Sequence, residues 1–167
     1  MARTSLRDYQ RELSERLKVA AAGGAASRLG VKAGEQAWLV SLADAGEVIP
    51  PPAITPVPLT KPWFRGVTNI RGKLYGVVDF PAFLGGAPVA PGEQVRLLLL
   101  GEKFRMGSAL LVDRLLGLRG AEDFQAQPAA AGAPWLKAEY ADKDGMRWQE
   151  LDVARLVQDP AFLEVAA

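Results

Sequence analysis

The chain contains no cysteine and no histidine. The first absence excludes disulfides, thiolate metal sites and thiol nucleophiles. The second removes the only side chain that titrates near neutrality without perturbation, so the commonest general base is missing. An enzyme built on this chain would work with carboxylates, Lys, Ser and Tyr alone. A surplus of either charge is also lacking, with 20 Lys and Arg against 19 Asp and Glu. Nucleic-acid binding by counterion release and docking on an anionic membrane both need a clustered basic excess. Neither partner is expected. Long apolar runs are missing too: Met1 to Lys18 is studded with charges, and the small-residue stretch Val19 to Ala26 is broken by Gly23 and Gly24. A spanning helix needs about twenty apolar residues. The expectation is a cytoplasmic protein with no direct membrane insertion.

What is present is enough apolar residue for a sizeable core, 49% of a 167-residue chain, which favours one globular domain. Leu6, Tyr9, Leu13, Leu17 and Ala20 recur at helical spacing among charged residues, with Gly23-Gly24 as the stop. This helix either packs on its own domain or docks on a partner; spacing does not choose. From Arg28 the texture becomes short strands. Leu29 and Val31, a turn at Lys32 to Glu35, and Trp38 to Leu42 predict a hairpin. Val48-Ile49 run into Pro50-Pro51-Pro52, and Pro56 and Pro58 follow, so this connection is extended and stiff. Val67 to Ile70 and Leu74 to Phe80 read as strands around Arg71-Gly72-Lys73, with Leu74, Gly76, Val78 and Phe80 sharing one face. Pro81 to Leu84 fits one helical turn. Val95 to Leu100 and Ser108 to Leu118 read as two strands covered on both faces. Gln125 to Ala133 reads as a loop, and Asp144-Gly145 as a hairpin turn. Leu151 to Leu156 has helical spacing, which Asp159-Pro160 should end. A mostly-β barrel or sandwich follows.

Catalytic motifs are thin. No phosphate-binding glycine loop or nucleophile elbow occurs. Asp79 and Asp113, each after an aliphatic pair, are the candidate acid/base carboxylates of a small β-barrel enzyme or ligand-binding protein. The plainer alternative is that each accepts hydrogen bonds from the turn that follows it. Asp142-Lys143-Asp144-Gly145 is a fragment of a calcium loop, but Tyr140 and Leu151 occupy its first and last acidic positions. No metal, cofactor or catalytic residue is expected. The stretch Trp63 to Gly72, with its aromatics, two arginines, Asn69 and turn glycines, is either an ordinary hairpin or a binding constellation.

One series of motifs is more specific. Glu47-Val48-Ile49-Pro50 is followed by Ile54 to Pro58, then by Arg65-Gly66-Val67-Thr68-Asn69-Ile70-Arg71-Gly72 and by Val77-Val78-Asp79-Phe80. In order and spacing this resembles the CheW-like chemotaxis coupling domain, over residues 26–167, with 1–25 as a helical extension. Lys61-Pro62-Trp63, the N-terminal extension and the ending Asp159 to Leu163 are similar to the type IV pilus, twitching-motility (PilI-like) branch; a flagellar-type coupling protein is the alternative. The resemblance implies two small five-stranded SH3-like β-barrels packed around a shared core, with a C-terminal helix. It implies a non-catalytic adaptor binding the regulatory domain of a CheA-type histidine kinase and the cytoplasmic tip of a methyl-accepting chemoreceptor. It also places Glu47 and Arg71 beside the receptor groove, with Gly66, Asn69 and Gly72 shaping the turns. Ala45 stands where the family usually has a larger aliphatic residue that touches the receptor helix.

Overall fold

The structure is a computed structural model that describes residues 10–11, 28–128 and 132–167. The expected N-terminal helix lies outside the described residues, apart from residues 10 and 11. Eleven strands are described: β1 Arg28–Ala33, β2 Gln36–Ser41, β3 Ala45–Ile49, β4 Phe64–Ile70, β5 Lys73–Asp79, β6 Arg96–Leu100, β7 Ser108–Val112, β8 Arg114–Arg119, β9 Gln125–Gln127, β10 Leu136–Ala141 and β11 Arg147–Leu151. Three single-turn helices join them: α1 Phe80–Phe83, α2 Val153–Leu156 and α3 Pro160–Leu163. One sheet has the order β8-β1-β2-β11-β10-β9 and the other β3-β6-β7-β5-β4. The two β units expected from the resemblance are present, and the three-residue β9 gives one of them a sixth strand.

Both sheets curl. Six flat strands would span about 24 Å at their usual spacing. Yet the edge strands β8 and β9 are joined by residues 120–124 alone, which include a 3-10 turn and reach about 21 Å at full extension. The inside of this curl holds Trp148, packed with Ala37, Leu39, Leu116, Phe124 and Tyr140. The five-stranded unit closes differently. Its edge strands are β3 and β4, and the proline-rich connection between them lies against β4: Thr55 bridges Val67, and the Thr68 hydroxyl donates to the Ala53 carbonyl at 2.8 Å. The prolines therefore shape a barrel seam as well as a stiff crossing.

Strand alternation divides the apolar residues among three cores. Leu97, Leu99, Ala109, Leu111 and Val77 fill the five-stranded unit. Their neighbours Leu98, Leu100, Leu110, Val112 and Val78 face outward and meet Leu29, Val31, Trp38 and Val40 of the other sheet. Leu156, Val157 and Phe162 from the C-terminal turns complete this shared core. After their first residues, Arg96 and Ser108, β6 and β7 are apolar because each serves two cores.

Three expectations need correction. Ser108 to Leu118 is not one strand: the chain passes at Asp113 from β7 in one sheet to β8 in the other. The stretch from Gln125 is not all loop, because residues 125–127 pair with β10 as an edge strand. Asp159-Pro160 does not simply end a helix. Leu151 still belongs to β11, Asp152 caps α2, and Asp159 caps a new turn with Pro160 in its first positions, where no N–H is required.

Candidate docking site at one end of the five-stranded unit

The start of β3, the β4–β5 turn and the β6–β7 turn meet at one end of the five-stranded unit. The β4–β5 turn is built from two residues with positive φ, Arg71 at 52° and Gly72 at 84°. That combination is what a two-residue hairpin with the native strand twist requires. Asn69 fastens the turn by accepting from the Gly72 N–H at 2.9 Å. The exposed Arg71 guanidinium then reaches across to β3, where its Nη1 donates to Glu47 Oε1 at 3.1 Å and its Nη2 to Glu47 Oε2. This bidentate bond, and next the carboxylate's charge, hold the Arg71 pKa above its ordinary value. A surface pair of this kind is worth roughly 0–1 kcal/mol. Its larger effect is to fix one rotamer of a planar donor and to tie the two edge strands together. A second pair, Lys103 with Asp44 at 2.6 Å, joins the β6–β7 turn to the residue before β3.

Of the six residues expected at the site, Glu47, Asn69, Arg71 and Gly72 come together here. Gly66 lies farther up β4 and supports the seam: its φ is 132°, and a Cβ there would stand 2.1 Å from the Thr55 carbonyl oxygen. Ala45 is half-buried at the start of β3 and packs against the shared core. Residue spacing did not reveal the Lys103–Asp44 pair or the exposure of Leu74 and Met106 at this end. Alternation puts Leu74 on the face of Val78 and Phe80. Only the extent of the covering sheet decides that it stays uncovered.

The two carboxylates of the enzymatic reading have separate structural roles. Asp79 is fully buried and accepts from the Ala82 N–H at 3.1 Å, the Val89 N–H at 3.0 Å and Arg65 Nη1 at 3.1 Å. It caps α1, anchors the following loop and neutralises Arg65. Asp113 accepts from the Gly34 N–H at 2.6 Å. Its partner is therefore the β1–β2 turn, not the turn following it, because the chain changes sheet at this residue. The two share no hydrogen-bond partner among the described residues. No group of three or more acidic residues able to hold a metal ion occurs among them either, nor does a helix long and apolar enough to cross a membrane.

Comparison with known proteins shows the family and the fold. The CheW-like domain family matches residues 28–161. The chain belongs to the CheW-like family. This CheW-like chain is 28% identical to Protein PilI of Pseudomonas aeruginosa over 145 residues, covering 84% of the chain and 80% of that protein. Its fold is similar to the crystal structure of the scaffolding protein TtCheW from Thermoanaerobacter tengcongensis. The TM-score is 0.69 and the sequence identity 16%, over 84% of this chain and 97% of the other. TtCheW is described as a scaffolding protein, and the likeness shows that the paired β units described above are a fold the two proteins share.

Proposed function

We propose that this CheW-like chain is a non-catalytic adaptor coupling chemoreceptors to a CheA-type histidine kinase in a chemosensory complex that controls type IV pilus (twitching) motility. The observation that carries the reading is a rigid exposed guanidinium, Arg71 held by Glu47, on a chain whose family match spans both β units. The likeness to PilI favours the pilus branch over the flagellar one. Receptor binding is assigned to Glu47, Asn69, Arg71 and Gly72 directly, with Gly66 and Ala45 supporting the seam and the start of β3. A receptor tip is a helical hairpin, so one face of it can lie against the barrel end, with apolar contacts for affinity and rim charges for orientation. The kinase regulatory domain binds on a separate face. Simultaneous engagement raises local concentration, so modest individual affinities suffice. The adaptor works in the cytoplasm at membrane-associated receptor arrays, with residues 1–25 as an extension of the domain at 26–167.

The test is co-precipitation of the full chain with a purified kinase regulatory domain and a receptor hairpin. Both are retained by the wild type, and Arg71→Glu loses the receptor hairpin preferentially. Retention of neither partner removes the basis of the proposal. Equal loss of both by a folded Arg71→Glu variant refutes the assignment of faces.

A further inference from the structure

The end of the five-stranded unit remote from Arg71 carries a cavity that the docking site does not use. β5 leaves the Arg71-Gly72 turn and finishes at Asp79, beside Leu111 of β7. At these strand ends lies a cavity of about 310 Å³. It is lined by Pro51, Pro52 and Ile54 of the proline-rich connection, by Pro91 and Val95 of the loop before β6, and by Leu111. Proline has no N–H to offer, so this lining is poor in donors as well as apolar. The volume falls within the range of about 300–1,000 Å³ usual for small-molecule sites.

Among the described residues, Arg65 is the one charged residue in the lining. Its placement depends on a β-bulge. Phe64 pairs with Val78 and Gly66 with Val77, which leaves Arg65 as the extra residue on β4. A bulge re-aims a side chain out of strict alternation. The proline-rich connection holds the bulge in place, because Thr55 pairs with Val67 and a Cβ at Gly66 would strike the Thr55 carbonyl. The guanidinium is fixed in turn: Nη1 donates to Oδ2 of Asp79, which is fully buried and does not line the cavity, at 3.1 Å. Asp79 also accepts from the Ala82 and Val89 N–H groups, so its charge is met without using up the guanidinium. Arg65 Nε and Nη2 have no hydrogen-bond partner among the described residues, and the side chain is 36% exposed. These two nitrogens form a donor edge with the geometry that a carboxylate accepts.

We propose that this cavity binds a small organic monocarboxylate, with the carboxylate on the Nε–Nη2 edge of Arg65 and the apolar body among the prolines and aliphatic side chains. Charge complementarity selects the head group. A guanidinium already shared with Asp79 balances one further negative charge, whereas a phosphate dianion would stand partly uncompensated near the Asp79 carboxylate. A carboxamide has the same shape without the charge, and it turns N–H donors toward an arginine that has donors only. The apolar lining selects the body, since an acid with little hydrocarbon leaves that surface in water. Neither Glu47 nor Arg71 lines the cavity, so the proposal stands apart from the adaptor reading.

The experiment titrates the full chain with 3-phenylpropanoate and follows backbone amide resonances by NMR. Saturable shifts are expected at Ile54, Val89 and Gly92. Two control probes, 3-phenylpropanamide for the charge and acetate for the apolar body, should each bind about tenfold more weakly or worse. Arg65→Lys keeps a cation for Asp79 but loses the planar fork, and should weaken binding of the acid about tenfold. Ala90→Asp sets a like charge in the lining at an exposed position, and should weaken binding of the acid while leaving that of the amide unchanged. Circular dichroism checks the fold of both variants; if Arg65→Lys does not fold, Ala90→Asp and the amide control decide. Equal binding of acid and amide overturns the proposal, as does unchanged affinity for the acid in the folded variants. Absence of saturable shifts with 3-phenylpropanoate overturns it as well.

Discussion

Arg71 occupies a backbone position that suits asparagine or glycine better than a long side chain. Its φ of 52° lies in the left-handed region, which costs roughly 1–2 kcal/mol for an ordinary L-residue. An arginine kept there is placed for its guanidinium. Arg71→Asn should therefore separate fold from function. The turn becomes Asn-Gly, the favoured pair for this hairpin, so the melting temperature should hold or rise slightly, while hairpin binding falls; differential scanning fluorimetry and the binding assay read the two effects. The positions of Asn69, Arg71 and Gly72 were legible in the sequence because turn chemistry is local. The bond from Arg71 to Glu47 was not derivable from spacing, since it spans 24 residues and exists because the sheet curls. Asp79 was legible in part: its cap on the following turn is local, whereas its contact with Arg65 required the strands to pair.

The β10–β11 hairpin shows how one side chain organises an element. Asp142 Oδ1 accepts from the Asp144 and Met146 N–H groups, both at 2.9 Å, and Oδ2 accepts from Trp148 Nε1 at 3.0 Å. The bond from Trp148, ahead of the two backbone bonds, lowers the Asp142 pKa below the ordinary carboxylate value. A depressed pKa means that the unfolded chain binds the proton more readily. The stabilising contribution is therefore present in full above the unfolded value, near 4, and fades as pH falls through the lower folded value. Asp142→Asn should be less stable than the wild type at pH 7, and the gap should narrow toward pH 3, as urea midpoints at the two pH values would show. A gap independent of pH would contradict this linkage. The Asp144-Gly145 turn was visible in the sequence. The role of Asp142 was not, because it depends on where the Trp148 indole lies.

For the whole molecule, the shared core is the decisive feature. Phe80 is fully buried and packs edge-on against Trp38, 5.3 Å away, joining the two sheets. Phe80→Ala should cost about 3–5 kcal/mol. Since the loss falls on contacts common to both units, the variant should still unfold in one transition, with calorimetric and van't Hoff enthalpies equal. Two separate transitions would show that each unit holds together alone, contrary to the packing. A rigid pair of units would keep the two docking faces proposed above at a constant separation.

The sequence by itself determined the strand-rich class, the hairpins at Gly34, Gly72 and Gly145, the cap at Asp79 and the family motif. Each of these depends on neighbouring residues and on strand alternation. The tertiary structure decided where an apolar run is cut, as at Asp113, which sheet each half joins, and which apolar residues escape cover, as Leu74 does. Those outcomes follow from how far one curled sheet extends over the other, and no local pattern encodes that distance.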